Sequence, residues 1–425
     1  MTEPQAIRRG RRLPRGLAAF RHRNYRLFWF GQLISVTGTW MQTLAQSWLV
    51  LTLTASAFKL GLVTVFQFTP ILLIGLFAGV VADRMPKRRL LVFTQATACT
   101  LAGLLTFLVA SDRVQLWHVY ALAFGLGVVN AFDMPTRQAF VVEMVGKDDL
   151  MNAIALNSSL FNAARIVGPA LAGGLLAAFG PAICFGLNTV SYLAVIAGLL
   201  LMRIEARPVA AAGRGLAQVR EGLAYVRSTP DVLYPIIMVG LVATFGMNFN
   251  IWVPVLANQT LGVGASGFGM LMSAMGAGSL LGALALAFLA GQGSRAKLLY
   301  GAAGLMGLLE LALALAGALS LPLVVALLCL VAIGFASTST MSSANTTVQT
   351  NAPDALRGRV MSVYMTVFAG TAPFGGLVAG ATARAFGAPV SIAIGAIVTL
   401  LAVGGTVMRS GLRVQIRRSA SRKAT

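Results

Sequence analysis

Acidic side chains are scarce in this chain: 12 Asp and Glu stand against 33 Lys and Arg among 425 residues, with 2 His and 3 Cys. Charged residues of both signs reach only 11%, where a soluble globular domain carries about 25%. That shortage excludes an ordinary soluble protein. Cys99, Cys184 and Cys329 are isolated in apolar runs, without the paired spacing of a disulfide framework or a zinc site. They read as small packing residues. His22 lies in a basic arm and His118 near a membrane boundary, and neither a His-Glu metal motif nor a nucleophile elbow occurs. A membrane-embedded hydrolase therefore has no visible machinery, and neither an enzyme activity, a metal nor a cofactor is expected.

What the chain has in abundance is apolar length. Hydrophobic residues make up 57% and mean hydropathy is +0.80. With about 20 apolar residues needed per helical crossing, twelve spans fit, at 27–51, 58–83, 89–110, 115–137, 150–178, 181–202, 231–257, 265–290, 296–317, 320–344, 357–383 and 387–408. The expectation is an all-α integral membrane protein.

A formal charge of +21 raises the question of nucleic acid, whose footprint is a basic patch. The distribution argues against it. Lys59, Arg113 and Arg384 stand alone in the connections assigned to the outside, whereas the N-terminal arm, the even-numbered connections and the C-terminal tail hold nearly all the rest. This is the positive-inside pattern, with both termini on the cytoplasmic side and the lipid bilayer as partner. The arm carries Arg8, Arg9, Arg11, Arg12, Arg15, Arg21, Arg23 and Arg26, too charged for a cleavable signal with its own apolar core. The first span is expected to act as the insertion signal.

The chain repeats weakly at a separation near 206 residues. Met41-Gln42 recurs as Met247-Asn248, Glu143 aligns with Gln349, and Gly61-Leu62 matches Gly269-Met270 after a two-residue slip. Two pseudo-symmetric six-helix halves follow, and parallel repeats of this kind place a substrate site near the bilayer midplane, where the halves meet. The expected divisions are a basic arm 1–26, a first half 27–202, a linker 203–230, a second half 231–408 and a basic tail 409–425. Within the linker, Leu216, Val219, Leu223 and Val226 share one helical face, as in an amphipathic helix on a membrane surface. It reads as a passive strap or as a regulatory element.

Residues 79–91, GVVADRMPKRRLL, join the second and third spans. Arg84, Lys87, Arg88 and Arg89 hold this connection inside the cell. Asp83 sits in the last turn of a helix, at the unfavourable end of its dipole, and needs a compensating partner. Together with twelve spans in two halves, Gly79, Asp83, Arg84 and the following basic residues resemble the loop motif of the major facilitator superfamily, with Pro86 where that motif has its second glycine. TRQAFVVEMVGKDDLMNAIALNSSLFNAARIVGPALAGG (136–174) and RGRVMSVYMTVFAGTAPFGGLVAG (357–380) are similar to the secretion-effector branch of that superfamily. That branch includes siderophore exporters and macrolide or multidrug efflux pumps. The resemblance implies the major facilitator fold, a bacterial cytoplasmic-membrane location, and a loop Asp that approaches the start of span 11 when the carrier is open to the outside. A helix start suits a carboxylate, and Arg357 and Arg359 are further partners there. The matching loop of the second half has Gly291 in place of the acid, so the latch is expected on one side only.

Ionisable groups inside spans are functional candidates by default. Asp133 and Arg137, four apart on span 4, can pair on one face, within about 10 Å of the expected span end. They read as a proton-exchanging acid with its partner or as a structural ion pair, and their repeat positions are Ser339 and Ser343. Glu310 on span 9 is the other mid-membrane acid, a proton carrier or a local packing or oligomer contact, and the resemblance places span 9 at the periphery, so Asp133 ranks ahead of it for proton exchange. Arg165, about 22 Å into span 5, either hydrogen-bonds backbone carbonyls or faces a wet cavity and attracts anions. It precedes Gly168-Pro169 and Gly173-Gly174, which resemble the glycine-proline motif of drug exporters with a longer spacing and suit close helix packing.

In this superfamily spans 1, 4, 7 and 10 line the central cavity. Ser35, Thr39, Gln42 and Gln46 form one polar face on span 1. Thr244, Asn248, Asn250 and Trp252 on span 7, Asn130 on span 4, and Ser337, Thr338 and Ser342 on span 10 add hydrogen-bonding groups. Such a lining suits amphiphilic small molecules. Interhelical hydrogen bonding without substrate contact is the alternative for each residue. The sequence thus points to a monomeric, proton-coupled exporter of a hydrophobic or amphiphilic compound. An importer or lipid flippase on the same fold, and a non-transporting sensor or assembly factor, are its rivals.

Overall fold

The computed structural model describes residues 15–203, 215–288, 295–353 and 356–423, with side chains described except at 15–16, 76, 83, 215–219, 295–296 and 410–423. Among these residues every regular element is helical. The first half contains α1 (Arg23–Thr54), α2 (Ala57–Arg84), α3 (Lys87–Ala110), α4 (Leu116–Val145), α5 (Leu150–Phe179) and α6 (Pro181–Leu201). A linker helix α7 (Gly215–Ser228) leads to the second half, α8 (Pro230–Phe245), α9 (Phe249–Val255), α10 (Gly264–Phe288), α11 (Arg295–Ala318), α12 (Leu323–Asn351), α13 (Arg357–Gly370) and α14 (Ala372–Lys423).

Local chemistry explains the boundaries. Ser56 caps α2 by accepting from the Lys59 amide, and Gln115 and His118 form a reciprocal box at the start of α4. Gly180, at φ 75°, turns α5 into α6, with Pro181 as the first residue of the new helix. Gly387, at φ 83°, makes the matching turn inside α14 two residues before Pro389.

Ten described segments are long and apolar enough to cross a membrane. The last of them, Arg357–Arg409, contains the Gly387 reversal and is long enough to cross twice. The 32-residue α1 is long enough at about 1.5 Å per residue, and its polar face lowers its hydropathy. By length these segments accommodate the twelve expected crossings.

Three elements differ from the sequence expectation. Span 7 is broken: α8 ends at Phe245, α9 starts at Phe249, and a π-helical turn, Leu256–Thr260, follows. Gly246 lies at the break, where a β-carbon would come within 2.7 Å of Thr399 Oγ1 and 2.9 Å of Met306 Cε. Second, α4 runs to Val145, because Phe140, Val141 and Val145 pack with Tyr25, Phe28 and Ala153 beyond the apolar stretch. Asp133 therefore lies about 18 Å from that end rather than about 10 Å. Third, the C-terminal part of α7 packs on protein, while the side chains of Leu216 and Val219 lie outside the described residues. Val226 is buried with Val232, Ile236, Val348 and Val360, and a β-carbon on Gly222 would meet the Arg359 carbonyl at 2.8 Å.

The core is divided unequally along the helices. At the end remote from the chain termini one apolar core crosses both halves, joining Met41, Leu44 and Leu176 to Phe249, Trp252, Phe268 and Ile392. At the end bearing the termini each half has its own core, around Tyr25, Phe28 and Phe140 in the first and around Val232, Val348 and Val360 in the second.

Candidate transport site

The halves meet along two glycine seams. Gly61 of α2 packs on the backbone of Gly376 in α14, and a β-carbon on Gly376 would lie 3.0 Å from the Gly61 carbonyl. One on Gly380 would lie 2.9 Å from that of Ala57. Across the second seam, a β-carbon on Gly173 of α5 would lie 2.8 Å from Gly269 Cα of α10, and one on Gly276 would lie 2.7 Å from the Arg165 carbonyl. Small residues let backbones come this close, so the contact is mainly van der Waals. Hydrogen bonds from Ser273 to the Ile166 carbonyl, 3.1 Å, and from Gln259 to the Ala55 carbonyl, 3.3 Å, join the same surfaces.

The glycine-proline stretch of α5 is thereby shared between two neighbours. Gly168 faces α1 within its own half, with Trp40 Cβ 2.6 Å from where its β-carbon would stand. Gly173 faces the other half, Pro169 contributes its carbonyl to the Gly269 contact, and Gly174 borders open space.

Asp133 is buried and fully partnered. Its Oδ1 accepts from Thr94 Oγ1 and Gln95 Nε2, each at 2.8 Å, and its Oδ2 accepts from Arg137 Nε at 2.9 Å and from Arg137 Nη2. Thr94 and Gln95 are adjacent polar residues on an otherwise apolar stretch of α3, the signal that could have pointed to them. Ser339 and Ser343, the repeat positions, are buried without charge. Glu310 is wholly buried on α11, and among the described residues neither carboxyl oxygen has a hydrogen-bond partner.

Several cavity candidates turn into their own half. Asn188 of α6 donates to Gln42 Oε1 at 2.6 Å. Gln42 and Gln46 line a narrow cavity with Ala98, Leu101 and Leu122. In the second half Trp252 donates to Ser391 Oγ at 2.8 Å and Asn248 to the Thr244 carbonyl at 2.7 Å. Asn248 and Trp252 line a second narrow cavity with Thr382 and Gly395. Asn130 and Thr338 are half-buried, and Asn250 is exposed. Arg165 is half-buried near the middle of α5, its guanidinium carbon 5.8 Å from the centre of the Trp40 ring.

At the termini end the basic loop is tied to its own half. Lys87 Nζ lies 3.7 Å from Glu143 Oε2, and Arg88 donates to the carbonyls of Leu199 and Leu200 at 2.7 and 2.8 Å. These are the last carbonyls of α6, where a cation suits the helix dipole. Arg84 is exposed, and Gly79 has open space where a β-carbon would stand. Arg359 forms an ion pair with Glu221 of α7, and Arg357 donates to the Gln349 carbonyl at 3.1 Å. The Asp83 side chain, Gly291 and Asp354 lie outside the described residues.

Two six-helix halves, in contact through glycine seams at one end and separately cored at the other, define a polytopic membrane transporter. The family model for transmembrane secretion effectors matches residues 15–423. The chain belongs to that family, a branch of the major facilitator superfamily. It is 25% identical over 361 residues to the staphyloferrin A transporter of Staphylococcus aureus, covering 85% of this chain and 89% of that one. It is 28% identical over 380 residues to the multidrug efflux pump Tap of Mycolicibacterium fortuitum, again covering 85% and 89%. The structure of a single-site mutant of the nucleoside transporter NupG superposes with a TM-score of 0.72 at 13% identity, over 91% of this chain and 98% of that chain, and so shares its fold.

Proposed function

We propose that this chain is a proton-coupled exporter of hydrophobic or amphiphilic compounds. It works by alternating access in a bacterial cytoplasmic membrane, with both termini and the basic loop on the cytoplasmic side. The observation that carries this reading is the unequal core: the halves share one apolar core at the remote end and have separate cores at the termini end. That arrangement corresponds to a carrier closed to the outside, and rocking about the glycine seams would invert it. The name of the relative Tap, a multidrug efflux pump, supports export over import or lipid flipping.

For coupling, two acids were singled out, and their surroundings differ. Asp133 is held by Arg137, Thr94 and Gln95, which suits a structural pair. Glu310 has no partner among the described residues, and an unpaired buried carboxylate costs several kcal/mol. That cost favours Glu310 as the group that takes up and releases a proton. In the outward-open state Asp83 is proposed to meet the start of α13 as a latch. Arg359 would then exchange Glu221 for Asp83.

Substrate accumulation in everted vesicles, with a pH gradient imposed and then collapsed, tests the coupling. The expected result is accumulation that follows the gradient and falls about tenfold or more in Glu310→Gln, the size typical of a lost proton-transfer group. Accumulation driven by sodium and indifferent to pH would refute proton coupling.

A further inference from the structure

Arg165 is a mid-membrane cation with no ion-pair partner among the described residues. It lies about 22 Å from the start of α5, with its guanidinium carbon 5.8 Å from the centre of the Trp40 ring. Five of the described acids in the spans and their borders are engaged or enclosed elsewhere, and no ion pair is recorded between Arg165 and any described acid. Asp133 is taken by Arg137, Asp149 by Arg21 and His22, Glu143 by Lys87 and Glu221 by Arg359. Glu310 is wholly buried with both oxygens unpartnered, so it does not reach Arg165. Taking even a half-buried lone cation out of water is unfavourable, and an aromatic face offsets only part of that. The remainder calls for an oxyanion that is not part of the described protein.

We propose that Arg165 and Trp40 form a headgroup site for an oxyanion, a carboxylate or a phosphate, on an amphiphilic substrate. This inference rests on the transporter reading only in calling the ligand a substrate. A guanidinium presents paired N–H donors that match such an oxyanion bidentately, and the indole beside it offers an apolar surface to the rest of the molecule. Gly168, one turn along α5, sets the geometry, because its missing side chain lets α1 bring Trp40 close. The site also adjoins the seam: the Arg165 carbonyl is the atom against which Gly276 packs, and Ser273 binds the next carbonyl, that of Ile166. An anion held there touches the surface along which the halves must move.

The test uses the purified full-length chain in dodecyl maltoside with a matched pair of fluorescent probes, dansyl-leucine and its methyl ester, which differ in one negative charge. The carboxylate should bind about tenfold tighter than the ester, as one charge-assisted hydrogen-bonded pair provides. Arg165→Gln should bring the two affinities together while leaving ester binding in place, which also reports a folded protein. Arg165→Lys should keep part of the preference. Equal affinities in the unmodified chain, no binding of the carboxylate, or a preference that survives Arg165→Gln would each overturn the proposal. Displacement of the carboxylate by phosphatidylglycerol but not phosphatidylcholine supports a lipid headgroup as the anion; no displacement supports a soluble amphiphile. Counterflow of both probes in proteoliposomes separates the two readings: a chain that binds the carboxylate selectively but moves neither probe keeps the site and refutes transport of these compounds.

Discussion

The contacts inside each half and the contacts between the halves are made of different materials. Inside, polar side chains are buried and directed: Asn188 to Gln42, Trp252 to Ser391, Tyr25 to the Ala153 carbonyl, and Asp133 to three side chains. Between the halves, glycine backbones and a shared apolar core dominate, with Ser273 and Gln259 donating single hydrogen bonds. A directed hydrogen bond specifies one geometry and is lost when helices shift. A glycine surface changes its contacts at low cost when one helix tilts on another. Under the alternating-access cycle proposed above, that difference would let the halves move as two bodies joined by a surface that opens.

The strongest test of the rigid side is Asp133→Ala. It strands Arg137, Thr94 and Gln95 in the first half, and breaking a buried ion pair from one side costs about 3–5 kcal/mol. Thermal denaturation in micelles should show that loss. Ser339→Ala, at the corresponding place in the second half, should cost less than about 1 kcal/mol, the usual scale of one hydroxyl between membrane helices. Equal effects would mean that the two halves are held together alike, despite their different chemistry.

The seam should respond in the opposite sense. A β-carbon on Gly269 would lie 2.8 Å from the Pro169 carbonyl, so Gly269→Val wedges α5 from α10. Overpacking of this kind costs about 1–3 kcal/mol, less than Asp133→Ala, yet transport should fall much further because the seam can no longer close. Gly174→Val, five residues from Pro169 and facing open space, is the control and should leave transport near its original level. If Gly174→Val were as damaging as Gly269→Val, the seam would not be the moving surface. Transport rates alongside melting temperatures for the two variants decide the matter.

This contrast was partly legible in the amino-acid sequence. The repeat that pairs Gly61 with Gly269 picked out one glycine from each seam, and the Gly168–Gly174 stretch pointed to close packing. Spacing assigns residues to a helix face, not to a neighbour, so it could not say that Gly168 meets α1 while Gly173 meets the other half. The Asp133–Arg137 pair followed from a four-residue separation. Its partners Thr94 and Gln95, 39 and 38 residues away, depend on how α3 lies against α4. The break in span 7 was hidden because Gly246 sits among apolar residues, and a glycine in such a run is as compatible with packing as with a bend. The polytopic all-helical fold was legible because burial of apolar length leaves few alternatives in a bilayer.

The smallest predicted effect lies at the termini end, where the short 3-10 helix Arg15–Arg21 docks on the start of α5. The Ala19 amide donates to Asn152 Oδ1 at 2.8 Å, Arg21 Nη2 to both Asp149 oxygens at 2.9 and 3.0 Å, and His22 Nε2 to Asp149 Oδ2 at 2.8 Å. The hydrogen bond from His22, and after it those from Arg21, hold the Asp149 carboxyl below its ordinary value. A carboxyl lowered on folding contributes stability above its unfolded pKa, about 4, and loses that contribution as pH falls through the folded value. Proteolysis of the arm should therefore be slow and flat with pH near neutrality and accelerate on acidification below about pH 4. Asp149→Asn should raise the neutral rate modestly and flatten the acid dependence, since exposed ion pairs are screened and weak. Because this contact lies within one half, the same substitution should leave transport unchanged. A transport defect in Asp149→Asn would place the arm on the moving side of the comparison, as a part of the gate and not merely a fastening of the first half.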